Sequence, residues 1–250
     1  MTSNEPKLPW ERADAWQPES EGCPLVARQL TRTMSGQAVL DRADLAIGPG
    51  ELVALVGANG AGKTTLLRCL AGRLRPTAGE VLWFGVSPKG RPDRHRLIGF
   101  AAHESLLYPE LTAGENLLFA ARMYGLPQPR ERVGEMLAKT GLARLAGRTA
   151  GRLSQGLRQR LSLARALVHD PPIVLLDEPL AGLDTAGRAW LEGWLSELRD
   201  RDRAVVFSTH DDRGSRSLAD RVLELHGGRL HGGRLHAMAE SVVFPRARSA

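Results

Sequence analysis

The chain has 250 residues, of which 42% are hydrophobic and 25% charged, with a net charge of +6. That length supports one large domain with a full apolar core or two small ones. No run approaches the roughly 20 uninterrupted apolar residues of a membrane-spanning helix, which excludes a span readable from hydropathy. Arg supplies nearly all of the basic charge, since Lys7, Lys63, Lys89 and Lys139 are the four lysines. A basic surface attracts nucleic acid or an anionic membrane face and by itself does not choose between them.

Residues 1–24 read as a disordered or loosely docked tail. They are rich in Pro and acidic residues and lack the basic start and apolar run of a secretion signal. Cys23 and Cys69 show no metal-ligand spacing and fit a reduced chain. From Leu25 onward, short β-type runs at 25–30, 38–40 and 45–47 lead into a continuous apolar strand at 51–56. A Gly-rich loop follows, then a helix with Leu66, Leu67 and Leu70 on one face. Residues 81–84 and 97–101 read as further strands.

The stretch of about 104–169 reads as helical. Thr112 with Glu115 three residues on is a capping-box signature, and Pro127 and Pro129 break the first helix. A helix over 154–169 stops at Pro171 and Pro172. A buried strand at 173–176, a helix at 185–199, a strand at 204–208 and a last strand at 221–225 complete the pattern. Short apolar strands alternating with helices imply an α/β fold, a mostly parallel sheet covered on both faces, with an antiparallel β edge and an inserted helical subdomain. The main domain is expected over 25–236, followed by a tail at 237–250. His-Gly-Gly-Arg-Leu occurs twice, at 226–230 and 231–235. A small duplication at a hairpin end is the preferred reading over a metal site built from His226, His231 and His236.

Gly57-Ala58-Asn59-Gly60-Ala61-Gly62-Lys63-Thr64 matches the pattern of a phosphate-binding loop at every fixed position, between a buried strand and a helix. Glycines let successive N–H groups approach phosphate oxygens, and the helix start adds positive potential. Gly57, Asn59, Gly60, Gly62, Lys63, Thr64 and Thr65 are the nucleotide-binding candidates. Lys63 is expected to reach the β- and γ-phosphates, and the Thr64 hydroxyl to meet Mg²⁺. Ile173 to Leu176 is an apolar strand ending in Asp177, Glu178 and Pro179. Asp177 is the candidate Mg²⁺ ligand and Glu178 the candidate for polarising the attacking water. Continued strand geometry would point Glu178 the opposite way from Asp177. His210 ends a second buried strand, where α/β sites lie.

Taken together, these residues resemble the ATP-binding subunits of ABC transporters over roughly 25–230. Three further motifs carry the resemblance: Leu153-Ser154-Gln155-Gly156-Leu157 followed by Arg158-Gln159-Arg160, Ala181-Gly182-Leu183-Asp184, and Ser208-Thr209-His210-Asp211. The resemblance implies ATP and Mg²⁺ as ligands, Glu178 as general base, and His210 as sensor of the γ-phosphate. Ser154, Gly156 and Asp184 would meet nucleotide held by a second copy. The usual adenine-stacking aromatic aligns with Met34. The Gln that follows the central strand is His103, and the last Gln of the signature is Leu157.

The implied partners are a second ATP-binding subunit, a homodimer by expectation, and an integral membrane permease. The implied location is peripheral, on the cytoplasmic face of the inner membrane, and no nucleic acid is expected. The run from His103 to Thr112 is similar to the heme-exporter type of the cytochrome c maturation system. Subunits of drug, lipid or polysaccharide exporters share every motif, and a soluble ABC ATPase acting on nucleic acid or the ribosome is the alternative of another class. Tyr108 and Leu111 are candidate permease contacts.

Overall fold

The computed structural model describes residues 23–103, 105–210 and 218–232. Residues 1–22, Glu104, Asp211, His236 and the tail expected at 237–250 therefore lie outside the described residues. Cys23 and Pro24 are buried, and the Pro24 carbonyl accepts the Phe84 N–H at 2.9 Å.

The first β-type runs are longer than their apolar cores. β1 (Leu25–Met34) and β2 (Gln37–Ile47) form one antiparallel hairpin, and β4 (Ala78–Trp83) pairs with the other side of β1. Ser35 and Gly36 join β1 to β2 with φ of 48° and 79°. Positive φ at both positions is what a two-residue hairpin turn compatible with strand twist requires.

The second sheet runs in the order β5-β6-β7-β3-β8-β9. β3 (Leu52–Val56), β5 (Ile98–Ala101), β6 (Ile173–Leu176), β7 (Ala204–Thr209) and β8 (Arg221–His226) are mutually parallel. β9 (Arg229–His231) returns antiparallel to β8. The first His-Gly-Gly-Arg-Leu copy makes this hairpin, with Gly227 and Gly228 at φ of 55° and 78°. His226 and His231 thus sit on paired strands opposite Arg229 and Glu224, and the final strand of the sequence reading is followed by one more.

Strand alternation sorts the core into two faces. Leu52, Ala54, Val174, Leu176, Val205 and Phe207 pack with the middle helices. Val53, Leu55, Ile173, Leu175, Ala204 and Val206 pack with α1 (Lys63–Leu70) and the three-stranded sheet. Both faces are buried, which is why these strands read as continuous apolar runs and not as alternating ones. Each fully buried Leu or Val contributes roughly 1.5–3 kcal/mol. Truncating Leu175 to Ala would cost about 2–5 kcal/mol.

The inserted region holds α2 (Ala113–Met123), α3 (Pro129–Lys139) and α4 (Gln155–Leu167), and α5 (Thr185–Asp200) follows β6. Residues 105–112 are not helical. Thr112 caps α2 in a full capping box: its hydroxyl accepts the Glu115 N–H, and Glu115 accepts the Thr112 N–H. Pro129 opens α3 at a position where its missing N–H costs nothing. His169, just past α4, joins this region to the sheet. Its ring stacks on Tyr124 at 3.6 Å, and its Nε2 lies 3.1 Å from the Ile98 carbonyl.

Candidate active site

The loop after β3 owes its shape to glycines at close approaches. A Cβ on Gly57 would sit 2.5 Å from the Leu225 carbonyl oxygen, and one on Gly62 would sit 2.9 Å from the Val39 carbonyl oxygen. Both also have positive φ, at 153° and 105°. α1 then starts at Gly62 with no side chain capping it, so its first N–H groups face outward without competition from a cap. Lys63 is 6% exposed, and its ammonium donates to the carbonyls of Gly57 at 2.7 Å and Ala58 at 3.1 Å. An ammonium has three N–H donors, so one is left for a phosphate oxygen.

Two adjoining clefts surround the loop. One, of about 200 Å³, is lined by Asn59, Gly60, Gly62, Lys63, Thr64, Thr65, Val39 and Glu178. The other, of about 380 Å³, is lined by Gly57, Ala58, Asn59, His210, Val56 and Glu224. Loop and carboxylate, read from stretches more than 100 residues apart, are thereby brought together. His210 reaches the same loop from the other side. Met34 lies at the hairpin tip, 46% exposed, and lines neither cleft. The hairpin register also presents Val39 to the loop, a residue that nothing local in the sequence marks.

The acidic pair departs from the expected alternation. β6 ends at Leu176, and Asp177 is 1% exposed. The Asp177 N–H donates to the Ala101 carbonyl at 2.8 Å, which ties the end of β6 to the end of β5. Glu178 then takes φ of 50°, a left-handed conformation that breaks the strand period. Glu178 thereby lines the loop cleft, with its carboxylate beside His103, whereas an extended strand would have turned it away. A non-glycine residue held there costs on the order of 1–3 kcal/mol and persists only where its surroundings over-determine it.

Ser208 on β7 supplies much of that restraint. Its hydroxyl donates to Asp177 Oδ1 at 2.7 Å and accepts the Glu178 N–H at 2.8 Å. The sequence signal for it was a Ser inside an otherwise apolar strand; its two partners were not legible. Among the described residues, Asp177 Oδ2 is buried with no hydrogen-bond partner. A buried carboxylate oxygen left over suits Mg²⁺, which takes one or two carboxylates plus phosphate and water oxygens. His103 lies two residues beyond β5, with Nδ1 3.7 Å from Glu178 Oε2. That is contact distance, longer than a hydrogen bond.

Ser154, Gly156 and Asp184 line neither cleft. Ser154 and Asp184 are exposed helix caps: Ser154 Oγ accepts the Leu157 N–H at 3.4 Å, and Asp184 Oδ1 accepts the Gly187 N–H at 2.7 Å. The two turns adjoin each other, since a Cβ on Gly156 would touch the Gly182 carbonyl oxygen at 3.4 Å.

Comparison with known proteins agrees with this geometry. The ABC transporter family profile matches residues 40–181. A sulfate/thiosulfate import ATP-binding protein of Methylococcus capsulatus is 40% identical over 210 residues, which cover 81% of this chain and 60% of that one. The chain therefore spans about 60% of the length of that relative. The SkfA peptide export ATP-binding protein of Bacillus subtilis is 39% identical over 193 residues, covering 76% of this chain and 80% of the relative. Among solved structures, an ATP-binding cassette dimer in a post-hydrolysis state, bound to ADP and Pi, superposes with a TM-score of 0.76 at 29% identity. That match covers 83% of this chain and 96% of the cassette. An ATP-binding subunit of an ABC transporter superposes at 0.78, also at 29% identity, covering 84% of this chain and 90% of its own. The chain belongs to the ABC transporter ATP-binding family and carries its ATPase domain.

Proposed function

We propose that this chain hydrolyses ATP as one of a pair of identical subunits and drives a membrane permease from the cytoplasmic face of the inner membrane. The observation that carries the reading is the carboxylate of Glu178 facing the phosphate loop, with its backbone fixed by the hydroxyl that also holds Asp177.

In this reading the amides of 57–62 and the Lys63 ammonium hold the β- and γ-phosphates, with Asn59 and Thr65 beside them. Thr64 and Asp177 would hold Mg²⁺, which would supply charge neutralisation on the phosphates. Glu178 takes the proton of the attacking water, and His103 beside it orients that carboxylate and the water. His210, across the loop, meets charge developing on the γ-phosphate. Met34 and Val39 flank the base. Ser154, Gly156 and Asp184 complete the site of the second copy, because they face outward from their own. Glu178→Gln keeps the shape and removes the base. ATP binding by calorimetry should stay within about threefold while turnover falls roughly 10²- to 10⁴-fold. Turnover at the parent rate would remove Glu178 from the role.

A permease-facing surface is supported by exposed Leu106, Tyr108, Phe119 and Met123, with the Tyr108 and Phe119 rings in edge contact at 5.2 Å. Apolar exposure of this kind marks contact surfaces. Leu111 is half-buried, which favours Tyr108 over Leu111 as a contact. For cargo, the run from His103 to Thr112 supports the heme-exporter type. Sulfate/thiosulfate and peptide, named for the relatives, are the competing cargoes, alongside those of drug, lipid and polysaccharide exporters. ATPase activity of the chain with its permease in vesicles should rise severalfold with heme. A rise with sulfate or peptide and none with heme would assign the cargo otherwise.

A further inference from the structure

Glu178 occupies a left-handed backbone conformation immediately before a proline, and besides the turn bond from the Ala181 N–H to its carbonyl at 3.1 Å and the Ser208–Asp177 side-chain bond, three hydrogen bonds tie the backbone of 177–179 to other elements. Two come from neighbouring strands: the Asp177 N–H to the Ala101 carbonyl, and the Glu178 N–H to Ser208 Oγ. The third comes from a different direction. Gln159 on α4 donates from Nε2 to the Pro179 carbonyl at 3.2 Å. A carbonyl oxygen only accepts, so the side-chain amide nitrogen must be the atom turned toward it. Gln159 is half-buried and is five residues along the helix from Ser154, its N-cap.

We infer that Gln159 is a positioning residue: through the Pro179 carbonyl it holds Glu178 in its strained, loop-facing conformation and ties the carboxylate of one site to the helix that serves the other. The inference rests on the proposed role of Glu178 and on Ser154 meeting the partner's nucleotide. Strain at residue 178 makes the tether necessary. A residue with φ of 50° relaxes toward the ordinary β region when its restraints loosen. That relaxation swings the carboxylate off the cleft, and a shift of about 1 Å in a reacting group can cost on the order of 100-fold in rate. The contact is also directional. α4 packs its start against the same loop, with the Gln155 side chain lying beside Gly182. When the α4 start engages the partner's γ-phosphate, the displacement passes along α4 to Gln159 and from there to Pro179. Each subunit's carboxylate is then set by the occupancy of the opposite site.

The test uses full-length chain at concentrations where it pairs. Gln159→Glu keeps the shape but offers no donor and sets a negative charge against the carbonyl, whereas Gln159→Lys keeps a donor able to reach it. Gln159→Glu should lower kcat roughly 10- to 100-fold, leave the dissociation constant for a non-hydrolysable ATP analogue within about twofold, and bring the Hill coefficient for ATP toward one. Gln159→Lys should restore kcat to within about threefold of the parent. Parent-like kcat and Hill coefficient in Gln159→Glu would overturn the inference. So would equal losses in both variants, or a weakened analogue affinity matching the loss of rate, each of which marks a merely structural contact. Thermal melts of both variants identify misfolding, and with Gln159→Glu unfolded, the Gln159→Lys kcat decides: retained supports the tether, lost removes it. If Glu178→Gln is inactive while Gln159→Glu is parent-like, only this inference fails; if Glu178→Gln turns over at the parent rate, the underlying reading fails first.

Discussion

Two helix starts in this molecule are both suited to anions, and they are built in opposite ways. α1 begins at Gly62, with positive φ, no capping side chain and a lysine almost wholly buried at its first position. α4 begins at Ser154, exposed, with its hydroxyl already accepting the Leu157 N–H at a long 3.4 Å. The first is enclosed by its own chain: Val39, Leu225 and Glu178 all crowd it. Among the described residues, the second borders the loop at 182–183, and its cap Ser154 is exposed. A site that must grip phosphates on its own is closed and pre-shaped. The start of α4 is left open, with a long cap bond, as the proposed role in a second subunit's site would require.

The contrast breaks most readily at Lys63. Lys63→Ala should weaken ATP binding to the chain roughly 10²- to 10³-fold, since a buried charged donor to phosphate is lost. Calorimetry that finds unchanged affinity would remove the enclosed site from the account.

The joint between the two regions supplies the next test. Burial holds the His169 pKa down to about 4, against the opposing pull of the Ile98 carbonyl bond and nearby Asp170. An ordinary imidazole titrates near 6.5, so between pH 6.5 and pH 4 the unfolded chain binds the extra proton and the folded chain does not. Stability should therefore be intact above pH 6.5 and fall by about 3 kcal/mol as the pH drops to 4. His169→Phe keeps the stack on Tyr124 and removes the proton. Denaturant melts at pH 7 and pH 5 should show a shallower loss for this variant; equal losses would detach the histidine from the acid sensitivity.

The smallest expected effect sharpens the comparison. Ser154→Ala removes a cap worth about 1 kcal/mol in stability. It should leave ATP affinity of the unpaired chain unchanged within about twofold while lowering turnover of the paired form. A loss of affinity in the unpaired chain comparable to that of Lys63→Ala would mean that both helix starts serve the same nucleotide.

Much of the enclosed site was readable in advance because its parts are contiguous. The residues from Gly57 to Thr64 act through their own backbone, and the helix behind them is set by local spacing. The capping box at Thr112 and Glu115 was legible for the same reason: its partners are three residues apart. Glu178 was found as a residue, but its direction was read on the assumption that the strand continued. A turn into positive φ depends on what holds the next residues, and those partners are Ser208 and Gln159, 30 and 20 residues from their acceptors or donors. Met34 aligns with the base-stacking position in chain order, and the hairpin's irregular register adds Val39 beside the loop, which no local signal marks.

Composition and local pattern alone determined the α/β class, the phosphate loop, the buried parallel strands and the capping box at Thr112. Each of these follows from interactions within about one turn of chain or from the burial of a continuous run. Tertiary structure alone decided that β6 and β7 lie side by side, so that Ser208 bridges Asp177 and Glu178. It also decided that α4 lies against the loop after Glu178 and that Ser154 and Gly156 line neither cleft at the phosphate loop. Strand order and helix placement are set by which apolar faces cover one another across the whole core, and that choice is written in no single stretch of the chain.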